Sequence, residues 1–302
     1  HNWALDRSRQ VGSLLKPVIH LAALETGQYS PATIINDAPV SLQQSDGTLW
    51  QPQNYDRKSH GKVPMYEALA KSYNQANVRL GMQVGVDKVL QQLKKMGVDQ
   101  FIPAYPSALL GAVEMSPLQV NQVYQTIAGN GFYSPLSLVR QVTEANGQLL
   151  SHFPFAVRQA ASNDATYLLQ HEMRMAAHYG TAKGVYQYLP KQQQVSAKTG
   201  TTNDLKDSWF AGFSGQHVAT VWLGREDAKP TPLTGAGGAL HVWAQLMQHL
   251  AYTSYKDIKP QLIEYYHLNV KTGKAMPNNC PNGVWLPIPK VSAPAFNKTC
   301  GY

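Results

Sequence analysis

The sequence predicts an α/β fold interrupted by a mostly helical subdomain. Two observations carry this. Apolar residues at helical spacing fill the middle of the chain, and β-type runs gather only after residue 194. With 302 residues, 43% of them hydrophobic and 15% charged, the chain can bury one large core or two smaller ones.

The elements follow in order. "SLLKPVIHLAAL" from Ser13 to Leu24 has helical spacing, and Pro17 is tolerated because it falls in the first turn. Residues Gly27 to Val63 read as an irregular stretch rich in Gln, Asn, Asp and Gly. Pro64 opens a helix that runs through Lys71. Val86, Val89, Leu90, Leu93 and Met96 form an apolar helical face that Gly97 ends. Ser116 caps, and Pro117 begins, a helix with Val120, Val123, Tyr124 and Ile127 on one side. "NDATYLLQHEMRMAAHYG" is a further helix, closed by Gly180. Beyond Gln194, "SWFAGF", the turn "SGQH" and "VATVWLG" predict a hairpin of two mostly buried strands. "ALHVWAQLMQHLAY" is amphipathic, with Leu240, Trp243, Leu246, Met247 and Leu250 inward. The division expected is a domain over 1–256 and a Pro-rich extension over 257–302. Within the domain, the α/β part takes about 1–30 and 185–256 and the helical part about 64–184.

Composition narrows the function. No run of about 18 apolar residues is present, and "HNWALDRSRQVGS" has no apolar core segment of a signal peptide. The net charge of +8 comes from scattered Lys and Arg with no basic cluster, which argues against nucleic acid as a partner. His171 and His178 lie seven apart with no carboxylate–histidine pair at ligand spacing, so no metal is expected. Glycine-rich "TGAGGALHVW" lacks the Gly-Lys-Ser/Thr ending of a phosphate cradle and reads as close helix–strand packing. Cys280 and Cys300 sit close together in the tail, which suits a disulfide better than a metal site; two free thiols are the alternative.

Three short motifs carry chemistry. Ser-x-x-Lys occurs at Ser13–Lys16 and at Ser59–Lys62. Positions i and i+3 share a helical face, so Ser13 and Lys16 can meet, and Leu14, Leu15, Val18 and Ile19 imply a desolvated lysine. Desolvation depresses an amine pKa, and a neutral amine can take a serine proton. Ser59 lies in a polar loop among Asp56, Arg57, Lys58, His60 and Gly61, and reads as a decoy. Ser72-Tyr73-Asn74 falls between helical segments, where a loop can aim Ser72 and Asn74 into a cleft that Tyr73 and Tyr133 would help to line. Lys-Thr-Gly occurs twice. At 198–200 it precedes Thr201, Thr202 and the buried hairpin, which makes it a strand edge with Gly200 leaving room for a substrate backbone. At 271–273 it reads as a tight turn with Gly273 at positive φ.

Ser-x-x-Lys, a Ser-x-Asn-type triad and Lys-Thr-Gly together are the signature of penicillin-binding proteins and β-lactamases. The order Ser13, Ser72, Lys198 resembles that family, and "VGSLLKP", "SYNQANVRLG", "GNGFYSP", "GTAKGV" and "KTGTTNDLKDSWFAGFSG" are similar to bifunctional class A penicillin-binding proteins. The resemblance implies the penicillin-binding/β-lactamase-like transpeptidase fold, an antiparallel sheet flanked by helices with an inserted helical subdomain. It implies Ser13 as acyl nucleophile, Lys16 as its base, and Ser72, Asn74 and Lys198 around them. Thr199, Gly200, Thr201 and Thr202 would hold the donor's carboxylate, and the N–H groups of Ser13 and Thr201 would form the oxyanion hole. The implied reaction is D,D-transpeptidation of peptidoglycan stem peptides, with β-lactams as mimics and no cofactor. A serine β-lactamase, a D,D-carboxypeptidase or a β-lactam sensor would share the motifs. In this family two strands and a glycosyltransferase domain precede the nucleophile, whereas twelve residues do here. The resemblance therefore implies that the sheet's N-terminal strands, that domain and a membrane anchor lie outside this chain, on the periplasmic side of a bacterial inner membrane, where an activating envelope protein is a further expected partner.

Overall fold

The computed structural model describes residues 2–43, 47–252 and 257–300. Its centre is an antiparallel sheet of three strands, β3 (Ser196–Thr201), β4 (Asp207–Ser214) and β5 (His217–Gly224), in sequence order. The period of two along β4 explains the layers. Trp209 and Ala211 join the core shared with the helical part, while Phe210 on the opposite face packs against Trp243 with ring centroids 5.0 Å apart. Trp243 belongs to α7 (Ala239–His249), which covers that second face. Of the five residues expected inward on α7, Leu240, Trp243 and Met247 are buried and Leu250 is partly so, but Leu246 is 46% exposed. Ala244 takes its place against the sheet, because a small side chain lets the helix approach closely.

On the other face lies α1 (Lys16–Glu25), entered through a tight helical turn at Gly12–Leu15. Every residue from Lys16 to Leu24 is buried, which a weakly amphipathic helix achieves only when surrounded. Its neighbours are α3 (Asn74–Val84), α4 (Val86–Lys95) and α6 (Asn163–His178), and α6 also packs along β3. α5 (Pro117–Ala128) closes the same face of β4 and β5, held by a capping box in which Ser116 and Gln119 exchange hydrogen bonds.

Two regions depart from the sequence reading. The stretch 27–63 is not wholly irregular: β1 (Ile34–Asn36) pairs with β2 (Lys62–Pro64), which leads into α2 (Met65–Ala70). The tail, read only as a Pro-rich extension, carries a hairpin. β6 (Ile263–Asn269) and β7 (Gly283–Pro289) form a hairpin whose Leu268, Leu286 and Ile288 are buried with Tyr66 of α2. Tyr265 and Tyr167 of α6 share a hydrogen bond at 3.0 Å, and Cys280 and Cys300 are joined by a disulfide. Prolines at 287 and 289 hid β7; each can sit there because a two-stranded hairpin leaves one edge of every strand unpaired.

Candidate active site

The site lies where three stretches of backbone meet. The first is the turn Gly12–Leu15 and the start of α1. Gly12 has φ +54°, and a Cβ there would stand 2.6 Å from the Thr201 carbonyl oxygen, so only glycine lets the turn abut the end of β3. Ser13 follows, partly exposed, and its hydroxyl makes no hydrogen bond to the described residues. Among the described residues its N–H has no backbone acceptor either, because the first N–H groups of a helical turn have none within it. One turn on, Lys16 is fully buried.

The second stretch is the link between α2 and α3. Tyr73 N–H donates to Ala68 C=O at 3.0 Å and Ser72 N–H to Leu69 C=O at 3.0 Å, the double bond pattern that ends a helix on a left-handed residue. Ser72, not glycine, fills that position with φ +61°, a conformation costing about 1–3 kcal/mol outside a supporting structure. Lys16 supplies support: its Nζ donates to the Ser72 carbonyl at 2.7 Å. It also donates to Asn74 Oδ1 at 2.6 Å and lies 3.1 Å from Ser72 Oγ. Asn74 is the first residue of α3, and its Nδ2 donates to Gln53 C=O at 2.7 Å, which leaves Oδ1 turned to Lys16.

The third stretch is β3. Lys198 is fully buried and donates to Ser72 Oγ at 2.8 Å and to Thr199 C=O at 3.0 Å. The Ser72 hydroxyl thus bridges two buried amines. Burial pushes the Lys198 amine down to about 7. Burial first, and then the positive charge of Lys198, hold Lys16 well below the usual lysine range, while the Asp37 carboxylate pulls it partly back. A neutral Lys16 has two N–H groups for the Ser72 carbonyl and Asn74 Oδ1 and one lone pair left for a proton.

The remaining residues of β3 divide. Thr202 N–H donates to Asp207 C=O, so by antiparallel alternation Gly200 and Lys198 bond to β4 while Thr199 and Thr201 turn their N–H groups to the open edge. Thr201 Oγ1 accepts the Gly235 N–H at 2.9 Å, which leaves its O–H free to donate. Thr199 Oγ1 donates to Thr181 Oγ1 at 2.7 Å, and a pair of hydroxyls keeps one O–H to spare. Thr202 does not join them: its hydroxyl donates to Asp207 Oδ2 at 2.9 Å and accepts the Asp207 N–H, so both functions are spent on the turn. Gly200 serves a different neighbour than expected. A Cβ there would meet Leu14 Cγ at 2.8 Å and the Val11 carbonyl at 2.9 Å, so its bareness admits the turn that bears Ser13.

The duplicate motifs fall elsewhere. Ser59 Oγ donates to Asp37 C=O at 2.8 Å and Lys62 is exposed on β2. Lys271 and Thr272 donate their N–H groups to Asn269 Oδ1 ahead of Gly273 at φ +68°, an exposed turn after β6. Tyr133 packs against Gly97 and Arg158, whereas Tyr73 stacks on His60 at 3.9 Å. Sequence reasoning missed Thr181, Asp37 and Asn54. It also missed a buried set behind the lysines, in which His20 bonds Glu172 at 2.7 Å and Asn77 at 2.9 Å. Thr181 had a signal only in its place within "GTAKGV"; the others had none, since single polar residues far apart in sequence carry no period.

Comparison with known proteins places these features in a group. The family described as "Penicillin binding protein transpeptidase domain" matches residues 1–239. Penicillin-binding protein 1B of Vibrio cholerae is 42% identical over 293 residues, covering 95% of this chain and 37% of that protein. The Escherichia coli protein of the same name is 38% identical over 267 residues, covering 86% of this chain and 31% of its own length. The chain thus spans about a third of these relatives. Among solved structures, penicillin-binding protein 1A from Haemophilus influenzae superposes with a TM-score of 0.89 at 23% identity, over 97% of this chain and 50% of that one. An imipenem acyl-enzyme complex of penicillin-binding protein A from M. tuberculosis superposes with a TM-score of 0.67 at 23% identity, over 82% of this chain and 62% of that one. At such identities the two structures carry the fold.

Proposed function

The chain belongs to the penicillin-binding-protein transpeptidase family, and on that premise we propose that it is the serine acyltransferase part of a peptidoglycan-cross-linking enzyme. The observation that carries the proposal is the Ser72 hydroxyl held between the amines of Lys16, three residues after Ser13, and Lys198.

In this reading Ser13 Oγ attacks the carbonyl carbon of the donor's penultimate D-Ala. Its proton passes to the lone pair of Lys16 Nζ, an amine whose hold on a proton burial weakens. The N–H groups of Ser13 and Thr201 receive the developing oxyanion, each such donor being worth about 2.7–4 kcal/mol. Collapse expels the terminal D-Ala as an amine, and the proton it needs travels from Lys16 through Ser72 Oγ with Lys198 at its far side. The donor's carboxylate lies on the open edge of β3 against the spare hydroxyls of Thr199 and Thr201 and the charge of Lys198. An amine from a second stem peptide then attacks the acyl-serine by the same route in reverse. A β-lactam enters the first half and stays bound as an acyl-serine.

Transfer is favoured over hydrolysis because Asp37, the buried carboxylate whose charge acts on Lys16, is committed to Asn54 and His60. A glycosyltransferase domain and a membrane anchor would belong to the larger part of such a protein that this chain does not span, with the reaction on the periplasmic side. Among the described residues no helix is long and apolar enough to cross a membrane.

Labelling with a fluorescent penicillin tests the proposal. One covalent adduct on Ser13 is expected, absent in Ser13→Ala and slowed by roughly 100-fold or more in Lys16→Ala. An undiminished adduct in Ser13→Ala would overturn the assignment, and turnover of the antibiotic within minutes would move the reading to a β-lactamase.

A further inference from the structure

We propose that Asp37 and Asn54 are positioning residues for this site, forming a clamp that supplies the missing cap of α3 and so fixes Ser72 and Asn74 against Lys16. The inference rests on the acyl-serine reading above.

α3 begins immediately after the left-handed Ser72, and the residue in its cap position is Tyr73, whose side chain makes no capping bond. A helix start without a cap leaves N–H groups unsatisfied, and here Gln75 and Ala76 are buried. The loop answers with two side chains. Asn54 Oδ1 accepts the N–H of Asn74 at 2.6 Å and of Gln75 at 3.2 Å, and Asp37 Oδ1 accepts the N–H of Ala76 at 2.9 Å. Three successive donors of the first turn are thereby met from 20 to 39 residues away in sequence.

The clamp is itself braced. Asn54 Nδ2 donates to Asp37 Oδ2 at 2.6 Å and to Lys58 C=O at 2.8 Å, which sets the amide so that Oδ1 must face the helix. Asp37, with no exposed surface, also accepts from the His60 N–H at 3.0 Å and lies 2.9 Å from His60 Nδ1; the far nitrogen of that ring faces Asp56 at 3.1 Å. The His60 ring stacks on Tyr73, between Ser72 and Asn74. The neighbouring Gln53 carbonyl takes the Asn74 amide, so one loop holds both the backbone and the side chain of Asn74. An anion placed at the N-terminus of α3 is also favoured by the helix dipole. Its charge reaches Lys16, where it opposes the effects of burial and of Lys198.

The two residues therefore separate by experiment. Second-order acylation by fluorescent penicillin would be followed from about pH 5 to 10 in the wild type, Asn54→Ala and Asp37→Asn, with thermal melts alongside. Asn54→Ala keeps the anion and loses the clamp, so the rate plateau should fall roughly 10- to 100-fold while the acid limb stays in place. Asp37→Asn removes the charge that partly offsets burial and Lys198 at Lys16, so its acid limb should move to lower pH in addition to any loss of plateau. A wild-type rate in Asn54→Ala overturns the inference. If that variant does not fold, Asp37→Asn decides: an acid limb that stays or rises in pH overturns it. A wild type that fails to label at all would instead sink the acyl-serine reading.

Discussion

Lys198 is a long cationic side chain sealed in the core, and its amine is pushed to about 7 by burial. Such a group weakens the fold at neutral pH. Its folded-state value lies below the unfolded one near 10.4, so between those two values the unfolded chain binds the extra proton, and stability rises as pH rises from about 7 to about 10. The full span is worth at most about 5 kcal/mol. Lys198→Met is therefore expected to melt higher than the wild type at pH 7, to lose most of the advantage by pH 10, and to lose acylation. A lower melting temperature for this variant at pH 7 would mean that the bonds to Ser72 and Thr199 outweigh the buried charge. Desolvation at Lys16 was legible from Leu14, Leu15, Val18 and Ile19, because neighbours on a helix share its environment. The bonds that Lys16 makes to Ser72 and Asn74 were not, since they join residues 56 and 58 apart.

At the scale of elements, local signals performed well where a period existed. The capping box at Ser116, the Gly97 terminator and the β4–β5 hairpin all follow from short-range chemistry. The tail shows where such signals fail. Its strands alternate weakly and contain prolines, yet they fold back on α2 and α6 because Tyr66 and Tyr167 offer a surface to cover. The disulfide closes a loop of 20 residues there, which chain entropy values at about 3 kcal/mol. Replacing Cys280 and Cys300 with serine should loosen the β6–β7 hairpin, read as faster amide exchange over 263–289, with acylation of Ser13 unchanged. Loss of acylation would show instead that the hairpin supports the site through α2.

For the whole molecule, function depends on a seam between the sheet and the helices. Gly12 against Thr201, Gly200 against Leu14, and Gly235 against the Gly200 and Trp209 carbonyls bring main chains into contact that no side chain would permit. Gly12→Ala should force the turn from the strand, lowering the melting temperature and slowing acylation by an order of magnitude or more. Normal kinetics in that variant would show that the seam adjusts freely.

By itself the sequence determined the family resemblance: a serine with a lysine three residues on, a polar tripeptide and a lysine-bearing strand, in an order shared by penicillin-binding proteins and β-lactamases. It also determined most helices and the central hairpin, because those depend on spacing within a dozen residues. Only the tertiary structure decided that Ser72 bridges both amines, that Gly200 serves the protein's own turn, that Thr202 belongs to Asp207, and that Asp37 and Asn54 cap α3. Each of those joins groups whose approach is set by how faces pack, and a hydrogen bond between Lys198 and Ser72, 126 residues apart, leaves no trace in the pattern of either segment.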